Sequence, residues 1–212
     1  MADFTLHIGT RIWSSWSLRP FMALAATGAD LETVVTPLRT AASKAEIAAF
    51  SPSGLVPLLV DHRGAKPVSV WDSLAICEYL AESYPSLWPR DPAARAVARS
   101  VSAEMHSGFR PMRMAMPMDL FAERPGEGLD ADGVADDIRR IDSIFADCRG
   151  RFGSGGPYLF GAFSIADAMF APVASRFRTY RPTLSAPAAA YVATLLADAG
   201  FKAWETAALK ET

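Results

Sequence analysis

The chain has 212 residues, of which 50% are apolar, and its 21 basic and 23 acidic residues leave a formal net charge of −2. This length and composition predict a globular protein with either one large domain or two small ones. The nearly balanced charge, without a run of like charge, argues against a nucleic-acid or anionic-membrane surface, so we expect a small-molecule partner.

The two cysteines, Cys77 and Cys148, lie far apart in helix-like segments. Their spacing argues against a disulfide framework, a metal cluster or a redox pair. The N-terminus lacks the pattern of a signal peptide, and no apolar run approaches the roughly 18 residues that cross a bilayer. We therefore expect a cytoplasmic protein without a bound metal and without membrane association.

The first 84 residues alternate between short strand-like and helix-like segments. The apolar spacing predicts strands at 4–9, 32–37, 58–60 and 68–70, and helices at 16–27, 42–50 and 73–84. Alternating strands and helices favour parallel pairing, whereas the short turn at 61–64 favours an antiparallel pair. The order βαβαββα therefore predicts a small mixed sheet covered by helices.

A proline-rich stretch at 84–92 ends this pattern, and helical periodicity follows it. Asp91 and Pro92 are the residue types of an N-cap and a first helical position. We predict a first domain at 1–84, a linker at 85–91 and an all-helical domain at 92–212. Within the helical domain, 123–132 is predicted to be a loop and 133–149 a helix.

A methionine-rich run imitates the period of a strand. Its prolines disfavour a central strand, so we predict a kinked helix through 104–118. Because methionine adapts to varied shapes, this run is a candidate lining for an apolar second-substrate pocket, together with Trp13 and Phe109. At least two of the four methionines are expected to fill the core. They are Met112, Met114, Met116 and Met118.

Three hydroxyls stand between the first strand and the first helix, in the segment 14–20 of sequence Ser-Ser-Trp-Ser-Leu-Arg-Pro. Free N–H groups and the positive end of the helix dipole meet at such a point, so an anion is favoured and a hydroxyl can donate to it. The alternative is that these serines only cap the helix. The segment by itself leaves both interpretations open.

Asp72 and Ser73 form a second strand-to-helix junction. A ligand carboxylate can take the N–H groups and the Ser73 hydroxyl, while Asp72 can pair with an ammonium group a few ångströms away. The head of an α-amino acid carries both charges. An ordinary N-cap without a ligand is the alternative.

Pro57 stands at the start of an apolar strand, where its missing N–H does no harm. Only about 5–6% of X–Pro bonds in folded proteins are cis, so the base rate favours a trans bond. A cis bond would turn the backbone of Val56 outward, where it can pair with a peptide-like ligand.

Ser164 and Asp167 have the spacing of a capping box, in which the two residues satisfy each other's backbone donors at the start of a helix. We predict a structural role for this pair.

Together these segments resemble the glutathione transferase superfamily, and the resemblance extends over nearly the whole chain. It implies a thioredoxin-like N-terminal domain, a helical C-terminal domain, glutathione as co-substrate and a homodimer. By the same resemblance, Ser14 is the first candidate for the group that activates the glutathione thiol, and Ser15 is the alternate. Val56 and Pro57 correspond to the cis-proline element, and Asp72 and Ser73 to the site of the γ-glutamyl head.

The serine motif looks most like that of the zeta class, which includes isomerases. Trp16 replaces the cysteine of that pattern, and Asp72 replaces its glutamine. Arg176, Arg178 and Arg181 lie near the position of a zeta-type substrate arginine, but none aligns cleanly with it.

Several basic residues have two possible roles. Arg19 is either a positive charge behind the thiolate or an ion-pair residue, and Lys44 either contacts the glycine carboxylate of glutathione or lies on the surface. His106, with Arg110 and Arg113, faces a substrate anion or a dimer partner, or has a solvated or structurally paired role.

The resemblance predicts a glutathione-dependent transferase or isomerase that acts on a small electrophile. A non-catalytic binding or regulatory scaffold of the same fold is the alternative. A thiol reductase is disfavoured, because the segment 14–17 contains no cysteine to form a mixed disulfide.

Overall fold

The computed structural model describes residues 2–211. Its first part contains the strands β1 (Phe4–Gly9), β2 (Leu31–Thr36), β3 (Leu58–Asp61) and β4 (Val68–Trp71), and the helices α1 (Ser15–Thr27), α2 (Ser43–Phe50) and α3 (Ser73–Ser83). The rest of the described chain contains the helices α4 (Pro92–Ser107), α5 (Arg110–Ala115), α6 (Val134–Phe152), α7 (Ile165–Tyr180), α8 (Ala186–Ala197) and α9 (Ala199–Ala208).

The four strands form one mixed sheet in the order β2-β1-β3-β4. β1 pairs with β2 in parallel, whereas β1 with β3 and β3 with β4 are antiparallel. Phe4, Leu6 and Ile8 of the inner strand β1 are fully buried. The predicted βαβαββα order and the thioredoxin-like arrangement are confirmed, followed by a helical domain as expected.

Helix α1 occupies the junction between the sheet and the helical part, because it contacts α3 on one side and α7 on another. α7 is the most buried helix, and its start is fixed by Asp167, which accepts hydrogen bonds from the N–H and the hydroxyl of Ser164 at 2.8 and 2.9 Å. The predicted structural role of this pair is confirmed. Because α1 contacts both α3 and α7, the serine segment at its start is held between the sheet part and the helical part of the molecule.

The prediction of one kinked helix through 104–118 is wrong. α4 ends at Ser107, Phe109 takes a left-handed backbone with φ of 60°, and the short helix α5 begins at Arg110. A residue with positive φ cannot continue a right-handed helix, so the chain turns sharply here. Three of the four methionines are buried in the core, while Met114 is 73% exposed.

Candidate functional site

A cavity of about 370 Å³ opens between the sheet and α4. Its walls come from the start of α1, the loop before β3, the end of β4, the start of α3 and the end of α4. The lining residues are Trp16, Ser53, Leu55, Val56, Pro57, Trp71, Asp72, Ser73 and His106.

Ser14 is the N-cap of α1, and its side chain makes no cap hydrogen bond. The Ser14 hydroxyl instead donates to Oγ of Ser17 at 2.7 Å, and Ser17 also accepts the N–H of Gly9 at 3.4 Å. Ser15, the first helical residue, accepts a hydrogen bond from Nη2 of Arg176 at 3.3 Å. The helix therefore presents two hydroxyls in different environments, one held by a serine and one by a buried guanidinium.

A cluster of arginines lies behind Trp16. The guanidinium carbons of Arg19 and Arg113 are 4.3 and 4.8 Å from the centre of the Trp16 ring. Arg19 is 1% exposed, and its Nε and Nη1 have no hydrogen-bond partner among residues 2–211. Burial lowers the pKa of Arg19, and the charges of Arg113 and Arg176 lower it further. Because a guanidinium stays protonated, a buried positive charge without a direct ion-pair partner in the described chain lies under the cavity.

Asp72 and Ser73 meet the cavity at the start of α3. Asp72 has a φ of 74°, and its Oδ1 accepts the N–H groups of Leu74 and Ala75 at 2.9 and 3.1 Å. The Ser73 hydroxyl is buried and has no partner within the described chain. A buried hydroxyl without a partner is unusual in a folded protein.

His106 reaches this junction from the end of α4. Its Nε2 lies 3.1 Å from Oδ2 of Asp72, and its ring meets the Trp16 ring edge-on with 5.4 Å between the centroids. Burial lowers the pKa of His106; the Asp72 carboxylate opposes this effect, and the charges of Arg19 and Arg113 add to it. A side chain of the helical part thus contacts the carboxylate at the edge of the sheet.

The bond between Val56 and Pro57 is cis, as the resemblance implies. Pro57 is buried, and both residues line the cavity just before β3 begins. The backbone of Val56 is therefore beside the space that a ligand would occupy.

Comparison with known proteins gives the family. Residues 13–83 match the model of the glutathione S-transferase N-terminal domain, and residues 131–207 match the model of the glutathione S-transferase C-terminal domain. The chain belongs to the glutathione S-transferase family. The two matched segments contain the helix α1, the cis-proline and the Asp72-Ser73 junction in the first, and α7 in the second.

Among curated relatives, a probable maleylacetoacetate isomerase of Caenorhabditis elegans is 27% identical over 77% of this chain and 76% of its own length. The maleylacetoacetate isomerase of Rattus norvegicus is also 27% identical, over 81% of this chain and 78% of its own.

Solved structures show the same fold. A glutathione transferase homolog from Burkholderia with bound glutathione superposes with a TM-score of 0.71, at 23% identity, over 98% of this chain and 99% of its own. A theta class transferase from Xanthomonas axonopodis pv. citri, also with glutathione bound, gives a TM-score of 0.68 at 22% identity, over 96% of this chain and 97% of its own.

Several residues predicted for this transferase site lie elsewhere. Lys44 and Arg110 are exposed and do not line the cavity. Trp13 lies 4.2 Å from the guanidinium carbon of Arg39, and Phe109 is buried at the turn into α5. The methionine run does not line the cavity either, because Met112, Met116 and Met118 pack in the core. The proposed methionine pocket is therefore not found here.

Sequence reasoning missed four lining residues: Ser53, Leu55, Trp71 and Trp16, the last of which it noted only as a departure from the zeta pattern. Trp71 stands directly before Asp72, so its position was available from the same junction. The contact of Arg176 with Ser15 joins residues 161 positions apart, and no local pattern predicts it.

Within residues 2–211, no helix is long and apolar enough to cross a membrane, and no group of three His, Cys, Asp or Glu side chains is arranged to hold a metal ion. Cys77 and Cys148 are buried and free.

Proposed function

We propose that this transferase binds glutathione in the cavity and activates its thiol for attack on a small electrophile. The observation that carries the proposal is the buried, unpartnered Ser73 hydroxyl at the start of α3, next to the Asp72 carboxylate. One donor and one carboxylate at a helix N-terminus suit the carboxylate and ammonium of a γ-glutamyl head. The family membership and the glutathione-bound structural neighbours support the same ligand.

The rest of glutathione would extend from this head towards α1. We assign the backbone of Val56, before the cis-proline, to the cysteinyl unit of the peptide, which would pair with it as a short strand. The thiol then lies at the N-terminus of α1, where Ser14 stands.

Ser14 is the proposed activating group, because it is the N-cap and its hydroxyl is not used to cap the helix. A thiol with a pKa near 8.5 needs about 2.7 kcal/mol of preferential anion stabilisation to lower that pKa by about 2 units. A hydroxyl that donates to the anion contributes about 1.5–3 kcal/mol, and a helix N-terminus about 0.3–2 kcal/mol. Redirecting the Ser14 hydroxyl from Ser17 to sulfur is therefore sufficient without a general base.

The second substrate is proposed to carry a carboxylate. Ser15, the residue after Ser14, lies within hydrogen-bond distance of Arg176. Arg19 and Arg113 add positive charge nearby. The curated relatives are named maleylacetoacetate isomerases. We infer that the substrate is an enone acid with a cis double bond, which the thiolate attacks. Rotation about the resulting single bond is followed by departure of the thiolate. The product is the trans acid, and glutathione is not consumed.

Calorimetry with glutathione tests the binding site. Ser73→Ala should weaken glutathione about ten- to a hundredfold, since one charge-assisted hydrogen bond is lost. Thermal stability should change little, because this hydroxyl has no partner in the protein. Ser69→Ala, on the exposed strand β4, is the control. Unchanged affinity in Ser73→Ala would place the head group elsewhere.

The thiolate absorbance of bound glutathione tests Ser14. Ser14→Ala should raise the pKa of the bound thiol by about one unit or more, equal to about 1.4 kcal/mol, with affinity at pH 5.5 nearly unchanged. Conjugation at pH 6.5 should fall and partly recover at higher pH. Ser15→Ala should have the smaller effect on this titration. The opposite order of the two variants would assign activation to Ser15.

Turnover separates the enzyme from a scaffold. A panel of generic electrophiles and cis-enone acids should give turnover in the wild-type protein. Binding of glutathione without turnover on any member of the panel would favour the non-catalytic alternative.

We further propose a cytoplasmic homodimer. Free cysteines are typical of a reducing compartment. Exposed apolar side chains on the edge strand β4, Val68 and Trp71, and on the adjacent loop, Leu55, are typical of a surface that a second copy covers.

A further inference from the structure

The side chain of His106 is unexplained by the activation of the thiol. It is the contribution of α4 to the cavity wall, and it contacts the carboxylate to which the ammonium of glutathione is assigned. We propose that His106 is a positioning residue, which orients the Asp72 carboxylate for the ligand ammonium without neutralising its charge. This inference rests on the proposed glutathione site.

One ring nitrogen of His106 faces the Asp72 carboxylate, and the other is enclosed by the protein. Nε2 lies 3.1 Å from Oδ2 of Asp72, within ion-pair distance. Nδ1 is buried and has no partner within the described chain. A second proton on Nδ1 would therefore be a buried donor with no acceptor, which disfavours the charged imidazolium.

Burial is the largest influence on the pKa of His106, and it favours the neutral ring. Asp72, at the start of α3, favours a positive charge on the ring, whereas Arg19 of α1 and Arg113 of α5 oppose one. His106 is thus a neutral ring in a position where a lysine or an arginine would cancel the charge of Asp72.

This neutrality matters for the ligand. Oδ1 of Asp72 already accepts two backbone N–H groups, and the His106 ring contacts Oδ2 at 3.1 Å, so both carboxylate oxygens are held by the protein. The carboxylate nevertheless keeps its negative charge and free lone pairs for an ammonium. Protonation of His106 would place an imidazolium beside Asp72, and this cation would compete with the ligand ammonium.

The consequence is a pH dependence of affinity with a definite sign. The amine of glutathione stays protonated and its carboxylates stay ionised between pH 5 and 7, so the ligand does not titrate there. Because the bound ammonium favours neutral His106, affinity should fall as the pH drops below the ordinary range of histidine, around 6.5.

Isothermal titration calorimetry from pH 5 to 8 tests this, with glutathione and with N-acetylglutathione, which lacks the ammonium. His106→Gln keeps a neutral N–H donor near the position of Nε2, and it should bind glutathione within about threefold of wild type at pH 7.5 and lose the decline towards pH 5. His106→Leu should bind glutathione about tenfold more weakly at pH 7.5, through loss of the polar contact with the Asp72 carboxylate.

N-acetylglutathione separates positioning from a merely structural role. Wild type, His106→Gln and His106→Leu should bind this analogue equally, because it has no charge for Asp72 to meet. His62 contacts Thr5 outside the cavity, and His62→Gln should behave as wild type throughout.

Two results would overturn the inference while glutathione binding stands. One is an equal loss of both ligands in His106→Leu, and the other is a wild-type decline at low pH that persists in His106→Gln. A wild-type protein that binds no glutathione at any pH would remove the proposed function and this inference together.

Discussion

At the scale of single residues, Arg19 is a buried side chain without its usual partners. A buried guanidinium is normally paired, because leaving it unpaired carries a large desolvation cost. Here two of its nitrogens have no partner in the described chain, and the Trp16 ring is its nearest compensation. Of the two roles that the sequence left open, the observed surroundings favour a positive charge behind the thiolate over an ion pair.

Replacing Arg19 by methionine should separate stability from function. We expect Arg19→Met to leave the free energy of unfolding unchanged or to raise it by up to about 2 kcal/mol, because an uncompensated buried charge is removed. The pKa of bound glutathione thiol should rise at the same time. Urea unfolding and thiolate absorbance measure the two effects.

The matched control is Arg99→Met, which removes an exposed arginine 3.4 Å from Glu78. It should change neither quantity measurably. A loss of several kcal/mol in Arg19→Met, with an unchanged thiol pKa, would show that Arg19 is a structural residue instead.

At the scale of elements, the start of α7 holds the helical domain together. Oδ1 of Asp167 accepts hydrogen bonds from the N–H of Leu159 and the hydroxyl of Tyr191, at 3.0 and 2.8 Å. Oδ2 accepts the two groups of Ser164. Burial raises the pKa of Asp167 to about 6, and these four donated bonds oppose that rise. The carboxylate is thus ionised at neutral pH and connects α7 to α8 and the preceding loop.

Asp167→Asn should destabilise the protein at pH 7 by about 2 to 4 kcal/mol, because an amide nitrogen would face donors that lose their acceptor. Urea denaturation monitored by far-ultraviolet circular dichroism gives the value. Asp147→Asn, which removes an exposed i,i+4 partner of Arg151, should cost less than about 0.5 kcal/mol. Equal stability of the two variants would contradict the role given to Asp167.

At the scale of the whole molecule, the cavity depends on both parts of the chain. Most of its walls come from the sheet side, while His106 comes from α4. Outside the lining, Arg176 of α7 reaches Ser15 at the start of α1. Three exposed apolar side chains, Leu55, Val68 and Trp71, lie at β4 and the loop before β3. That surface is where we expect the second copy of the chain to bind.

Light scattering at micromolar concentration should give about twice the 22.8 kDa mass of the chain. Val68→Glu places a charge on the edge strand β4 and should shift the mass towards the monomer. Val34→Glu, an exposed valine on the opposite edge strand β2, is the matched control and should leave the dimer intact. A monomeric wild type would contradict the proposed assembly.

The sequence by itself determined the features that depend on short stretches of chain. Strand and helix order in the first domain, the helix starts near Ser14 and Asp72, and the Ser164 to Asp167 box follow from residue types at close spacing. The long helix predicted over 104–118 failed because a single residue, Phe109, adopts a left-handed backbone. Hydrophobic periodicity cannot predict a left-handed backbone at one residue, because packing imposes it.

Only the tertiary structure decided which charged side chains meet. Arg19 and Arg176 are both arginines in helical segments, and their burial arises from the packing of α1 against α7, two helices that are far apart in the sequence. The contact of His106 with Asp72 likewise joins the end of α4 to the start of α3. Local sequence specifies caps and periodicity through neighbouring atoms, whereas the charge state and partners of a buried group are set by whatever the fold brings beside it.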